Sequence, residues 1–342
     1  MEGVELSSSV LVTGGDGLVG AWLVRALVDR GARVVVIRRD RPAVSSLAEL
    51  GLLNSVDVVD GDICAPGLVA RVLNEYEVDS VFHLAAQTQV GSANRSPVPT
   101  FETNIRGTWL VLEACRAHGV ERIVVASSDK AYGRQPELPY REEHPLDPQY
   151  PYDVSKAAAD MLARSYWHTF ELPVAVTRLA NVYGGGDTNR ARLIPEAVCA
   201  ALAGEAPVVR SDGSPERDYL YVEDAARAYL AVWEALAGSG SGSGAGAGSG
   251  SGAGAARGEA FNAGGGEPRR VLDVIELICR LAGSRAAPDI RGDGVPHGEI
   301  DRQWLDSTKL RELTGWRPEV TLEEGLRRTI EWYRDHPAAR TR

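Results

Sequence analysis

Cysteine is scarce in this chain. Only Cys64, Cys115, Cys199 and Cys279 occur in 342 residues, and none form a Cys-x-x-Cys pair. That scatter argues against a disulfide framework and against a zinc site. Cys115, Cys199 and Cys279 are expected to be buried helix residues. No apolar run reaches about 18 residues, so no membrane-spanning helix is expected. No stretch near Met1 combines a basic start with an apolar core, so no signal peptide is expected and the cytoplasm is the default location. Positive charge is also in deficit: 37 Lys and Arg face 47 Asp and Glu, a net charge of −10. Nucleic acid and anionic membranes are therefore not expected partners, although a local basic pocket for a phosphorylated ligand remains compatible.

What is present is an alternation of strands and helices. A chain of this length buries about 75% of its unfolded surface without metal or disulfide. Short apolar runs at Val10–Thr13, Val34–Ile37, Val56–Val59, Ser80–Leu84, Arg122–Ala126 and Val174–Arg178 read as strands. Leu18–Arg30, Phe101–Ala117 and Tyr152–Phe170 read as helices between them. Such alternation predicts an α/β fold with a doubly wound parallel sheet (Rossmann) and a ligand beyond the carboxyl ends of the strands. After Tyr183 the pattern weakens, with helices expected at Ile194–Gly204, Val222–Ala237, Val271–Leu281 and Leu322–Tyr333. The expected division is 1–182 and 219–265 for the dinucleotide-binding domain, and 183–218 and 266–342 for a smaller substrate-binding lobe. Residues 238–256 are mostly Gly, Ser and Ala and should form a flexible surface loop.

Three motifs carry the chemistry. Thr13-Gly14-Gly15-Asp16-Gly17-Leu18-Val19-Gly20 lies where the first strand meets the first helix. Gly14 permits the tight turn, Gly17 lets backbone approach a pyrophosphate, and Gly20 lets the helix pack close to the sheet. The helix start at Leu18 and Val19 then faces the anion. The second strand ends in Arg38-Arg39-Asp40. An Arg there accommodates the phosphate of NADP, whereas an acid binds the ribose of NAD. NADP is the expected cofactor, with NAD as the alternative that Asp40 keeps open. Asp62, after the third strand, is a candidate adenine contact or a turn residue. Tyr152 and Lys156 are four apart and share a helix face. A phenol is a poor base at neutral pH. A neighbouring ammonium and a cationic nicotinamide should lower its pKa, so that it takes a proton from an alcohol as hydride leaves the same carbon.

In this order the motifs resemble the extended branch of the short-chain dehydrogenase/reductase family, the nucleotide-sugar epimerases and dehydratases. Further matches are His83-Leu84-Ala85-Ala86-Gln87, Asn104-Ile105-Arg106-Gly107-Thr108, Arg178–Gly184, Arg217–Asp224 and Gly315-Trp316-Arg317-Pro318. The resemblance implies a nucleoside-diphosphate sugar as substrate and a tightly bound dinucleotide regenerated in each cycle. It extends the cofactor site to Ile63, Leu84, Ala85, Ala86 and Gln87. It also implies a homodimer through the helices Phe101–Ala117 and Tyr152–Phe170.

Ser127-Ser128-Asp129-Lys130 bears on the reaction. By resemblance, Ser128 bonds the sugar beside Tyr152, and an Asp-Lys pair at Asp129 and Lys130 is similar to the branch of CDP-glucose 4,6-dehydratase. The chain departs from that branch at the second strand, where the branch lacks the Arg pair. A 4,6-dehydratase would use Lys130 as base at C5 and Asp129 as acid at C6. Removal of water needs those two proton transfers besides hydride transfer, so Lys130 must be neutral and Asp129 protonated at the right moment. Gln87, Ser128, Asn181, Leu193, Ile194, Pro195, Arg217 and Arg302 are the expected substrate contacts, with Arg217 on the diphosphate. A 4-epimerase or a sugar-acid decarboxylase is the alternative on the same scaffold. A non-catalytic dinucleotide sensor is the alternative of another class, and it would need no Tyr-Lys pair.

Overall fold

Seven parallel strands form the central sheet. Six are β1 (Ser9–Thr13), β2 (Arg33–Arg38), β3 (Asp57–Asp60), β4 (Ser80–His83), β5 (Arg122–Ala126) and β6 (Val174–Leu179). The seventh is Ala260–Ala263, and the spatial order is Ala260–Ala263, β6, β5, β4, β1, β2, β3. The order reverses between β1 and β4, which opens a crevice at the carboxyl ends of those strands. The computed structural model describes residues 8–41, 44–237, 254–296 and 298–340. Of the expected flexible loop 238–256, residues 238–253 lie outside the described residues.

The sheet is buried on both faces, which explains why its strands read as continuous apolar runs rather than alternating ones. Val10, Val12, Val34, Val36, Phe82 and Val124 point to one layer, where the helices Leu18–Val28 and Val222–Leu236 pack. Leu11, Val35, Val81, Ile123 and Val125 point to the other, against Leu68–Glu75, Gly107–His118 and Pro151–Phe170. Each fully buried Val, Leu or Phe there stabilises the fold by about 1.5–3 kcal/mol. A third cluster joins the helices Leu193–Ala203, Val271–Ala282 and Leu322–Asp335 through Val198, Ile275, Ile278 and Ile330. Cys115, Cys199 and Cys279 are buried on helices as expected. Among the described residues no helix is long and apolar enough to cross a membrane.

Two local features depart from the sequence reading. The helix expected to begin at Phe101 begins at Pro97, and Glu102–Arg106 is a π turn before the α-helix Gly107–His118. Periodicity cannot announce one extra residue in a turn, yet such turns often mark functional positions. The short helices Leu68–Glu75 and Val90–Arg95 were also not expected. Few residues in each face a core: Val69, Val72 and Leu73 in the first, Ala93 in the second.

Candidate active site

The glycine turn is built by the packing of β1 against β4. Gly14 has φ +75°, and a Cβ there would lie 2.7 Å from Ala85 N. A Cβ on Gly20 would lie 2.2 Å from Gly14 O. Both must be glycine for the chain's own sake. Gly17 is different: a Cβ there would meet only Gly14 O, at 3.5 Å, an ordinary contact. Gly17 caps the helix Leu18–Val28 without any side-chain hydrogen bond. A bare helix N-terminus with no bulk above it suits a pyrophosphate. The turn therefore fits the dinucleotide that the sequence implies.

β2 ends in charges that already have partners. Arg38 bonds Asp60 at 3.0 Å, Arg41 bonds the other oxygen of Asp60, and Arg39 bonds Asp40 at 2.7 Å. Asp62 accepts from Cys64 N at 2.8 Å, a turn contact, and Ile63 is buried against Gly107. The expected Ala85 and Gln87 positions are fixed by buried hydrogen bonds. The Thr108 hydroxyl donates to the Asn104 carbonyl at 2.6 Å, so its oxygen accepts from His83 Nε2 at 3.0 Å. His83 Nδ1 then accepts from the Thr13 hydroxyl at 2.8 Å, and Thr13 accepts from Ala85 N at 3.2 Å. Burial, aided by the Lys156 charge, pushes His83 down to about 3, so it stays neutral. Gln87 N donates to Asn104 Oδ1 at 2.7 Å.

Downstream of this edge lies a cavity of about 570 Å³. Val19, Leu84, Ser128, Asp129, Lys130, Tyr152, Lys156, Asn181, Leu193, Ile194, Pro195 and Arg217 line it. Those twelve expected residues come from seven separated segments of the chain. Gly14, Gly17, Leu18, Arg38, Arg39, Asp40, Asp62, Ile63, Ala85, Ala86 and Gln87 are not in its wall; they follow the ends of β1 to β4. Arg302 stands apart from both groups. It is exposed, bonded to Glu216 at 2.8 Å and stacked over Trp304.

The acid–base groups are held from several sides. Lys156 is buried and donates from Nζ to Ala126 O at 2.9 Å, at the end of β5. Burial pushes its ammonium down to about 8. Tyr152 is buried one turn earlier. The sequence led to the expectation of a lowered phenol pKa, but in the chain alone it is raised. Burial is the first cause and the Asp129 charge the second, while Arg192 and Ser128 pull the other way. The chain's own groups thus favour phenol, and a lowering would have to come from a bound nicotinamide's positive charge.

Ser128 caps the short turn Asp129–Tyr132. Its hydroxyl donates to Asp129 Oδ1 at 2.9 Å, and its oxygen accepts from Lys130 N at 3.3 Å. Asp129 is 3% exposed, and its Oδ2 has no protein partner. Burial raises its pKa, against the Lys130 charge. An orphaned oxygen on a buried carboxyl at a cavity wall is a functional signature rather than a packing one.

Residues that the sequence reading passed over complete the site. Asn104 Nδ2 bonds Ser155 Oγ at 2.9 Å, and Ser155 bonds Tyr152 O at 2.6 Å, so the π turn braces the helix bearing Tyr152. Asp153 is buried and pushed up to about 6 by burial, with Lys130 opposing and Asp129 adding. Arg178 is buried and pairs with Asp160 at 2.8 Å; it also donates to Tyr132 OH at 2.7 Å, anchoring the Asp129–Tyr132 turn to β6. Arg192 and Glu299 line the cavity. Asn104 and Asp153 sit inside motifs already noticed, so their types were visible. Glu299 has no local pattern to mark it.

Comparisons with known proteins show what the chain is similar to. The model of the NAD dependent epimerase/dehydratase family matches residues 10–243. A dTDP-glucose 4,6-dehydratase of Xanthomonas campestris pv. campestris is 33% identical, over 94% of this chain and 92% of that protein. The solved dTDP-glucose 4,6-dehydratase of Streptomyces venezuelae, with NAD bound, has a TM-score of 0.83 and 30% identity, covering 96% and 98% of the two chains. A UDP-glucose 4-epimerase of Thermotoga maritima with UDP-glucose has a TM-score of 0.84 and 29% identity, covering 96% and 99%.

Proposed function

Because the chain belongs to the NAD dependent epimerase/dehydratase family, we propose that it is a nucleoside-diphosphate-hexose 4,6-dehydratase, a lyase whose product is a 4-keto-6-deoxy sugar nucleotide. The observation that carries this reading is the Asp129–Lys130 pair in the cavity wall beside Tyr152 and Lys156. Hydride transfer and epimerisation at C4 need only the last two. Elimination of water needs the first two as well.

Tyr152, as phenolate, takes the C4 hydroxyl proton, with Lys156 one helical turn away and Ser128 orienting the sugar. A bound nicotinamide would supply the hydride acceptor at C4, the hydride donor at C6 and a positive charge beside Tyr152. The C4 ketone acidifies the C5 proton, which Lys130 removes. Asp129, protonated, gives its proton to the C6 hydroxyl, which leaves as water. Lys130 returns its proton to C5 as C6 is reduced. The proton gained by Tyr152 balances the one given by Asp129, so one water is lost and nothing is consumed. The raised pKa of Asp129 supports its role as acid.

Gly14, Gly17, Leu18, Val19 and the strand ends through Gln87 are the proposed cofactor site, and Arg217 the proposed diphosphate anchor. Arg38, Arg39 and Arg41 support NADP. Asp40 and Asp60, which already pair with them, leave NAD as the alternative. Exposed Val98, Trp109, Met161 and Phe170 on the helices 97–118 and 151–170 support a homodimer through those helices.

One experiment tests the reading. The purified protein is incubated with a panel of nucleoside-diphosphate hexoses, and the products are weighed by mass spectrometry. Loss of one water without added cofactor is expected, and it names the nucleotide. Native mass spectrometry of the same sample reads the dimer and the bound dinucleotide. An isomer of unchanged mass would make the protein an epimerase and remove the role given to Asp129 and Lys130. Tyr152→Phe should abolish turnover while cofactor stays bound.

A further inference from the structure

Glu299 joins two groups that the sequence reading kept separate. Its Oε2 lies 3.5 Å from Lys130 Nζ and 3.3 Å from Arg217 Nη2. The connection is made by tertiary pairing. The strand Arg302–Gln303 runs parallel to Glu216–Arg217, with Gln303 opposite Arg217, and this register carries Glu299 to the cavity wall. One carboxylate oxygen thus touches both the proposed C5 base and the proposed phosphate anchor.

Arg217 does not need Glu299 to hold its place. Its Nη1 donates to two backbone carbonyls, Glu216 O at 3.0 Å and Asp301 O at 3.1 Å. Those bonds fix the guanidinium and leave the Nη2 edge, with Glu299 on it, toward the cavity. Arg217 is 11% exposed, whereas the Glu299 side chain is 33% exposed. The anchor is held by backbone along one edge, and its counter-anion is the more solvent-open of the two.

We propose that Glu299 is an internal counter-anion that occupies Arg217 until the diphosphate of the substrate displaces it, and that this displacement also takes the carboxylate away from Lys130. The inference rests on the reading of the cavity as a nucleoside-diphosphate-sugar site. A diphosphate ester is a dianion, and it cannot share a guanidinium edge with a carboxylate without like-charge repulsion. Glu299 therefore weakens ground-state binding and makes occupancy of Arg217 depend on a ligand charged enough to compete. Lys130 keeps Asp129 and Asp153 as acidic neighbours after Glu299 leaves.

The test uses the intact protein and a panel of free UDP, dTDP, CDP and GDP, titrated by calorimetry. The tightest of the four is carried into Glu299→Gln, which keeps the shape and removes the charge, and into Arg217→Ala. Glu299→Gln is expected to tighten nucleoside-diphosphate binding roughly 3- to 10-fold, and Arg217→Ala to weaken it at least about 10-fold. A structural role for Glu299 would give weaker binding instead. If Arg217→Ala weakens binding and Glu299→Gln leaves it unchanged or weaker, the counter-anion proposal is wrong while the site reading stands. If Arg217→Ala binds like wild type, the diphosphate anchor itself is misplaced and both fall. Glu299→Ala, measured alongside, separates the effect of charge from that of the new amide.

Discussion

Two clusters of charge sit on this molecule, and they differ in almost every physical respect. One lies at the end of β2, where Arg38, Arg39 and Arg41 meet Asp40 and Asp60. Each of its ions has an opposite partner, and most are open to solvent. The other lies under the cavity, where Asp129, Asp153, Lys130, Lys156, Arg217 and Glu299 gather. There Asp129 and Asp153 are nearly fully buried and each has an oxygen without a partner. Water screens the first cluster, so its pairs contribute little to folding. In the second, burial moves the pKa values of Asp129, Asp153 and Lys156, and stability is given up to hold them. Near equality of plus and minus charge is common to both; only the dielectric around them separates a surface from a reactive site.

The sharpest way to break this contrast is to neutralise Asp129. Asp129→Asn should lower kcat by about 10²- to 10⁴-fold. The first half of the reaction should survive, so reduced nicotinamide should build up and be visible by its absorbance. A fall in kcat of less than about tenfold would show that Asp129 does not act as the acid.

A smaller effect concerns stability and its dependence on pH. Asp153 is held at about 6 in the folded chain, above the ordinary carboxyl value. Between those two values the folded state binds more protons than the unfolded one, so stability falls as pH rises. The penalty is absent below the unfolded value and complete above about 6. Asp153→Asn should therefore raise stability by about 1–2 kcal/mol at about pH 8, and by much less at about pH 4. Denaturant melts at the two pH values check this. An equal change at both would mean that the gain is not electrostatic.

The smallest effect belongs to the exposed cluster. Arg39→Ala is expected to leave the melting temperature unchanged, because Asp40 is re-solvated at no cost. If the cluster reads the phosphate of NADP, the same change should weaken NADP relative to NAD by about 10-fold. Equal weakening of both dinucleotides would remove Arg39 from the choice of cofactor.

Much of this was legible before any coordinates. β5 at Arg122–Ala126 matched the expectation to the residue, and the other five strands read from the sequence differ from it by a residue or two at an end. Long apolar runs between glycine turns leave little room for error when a sheet is buried on both faces. Twelve expected site residues share one cavity wall, because they lie at or near the carboxyl ends of strands, where this topology brings loops together. Arg302 did not join them, because register turns its side chain to Glu216. The π turn at Glu102–Arg106 was not legible, since one inserted residue leaves periodicity almost unchanged.

The sequence by itself determined the layers, the strand ends and the identity of the groups able to move protons. Those follow from local pattern: apolar runs, glycines at a turn, and a Tyr and a Lys one helical turn apart. Only the tertiary structure decided the protonation states and the pairings. Whether Asp129 is burdened by burial, whether Tyr152 favours phenol, and whether Glu299 reaches Arg217 all depend on what packs around them from far along the chain. Desolvation and Coulomb interactions act through space, so no window of sequence contains them.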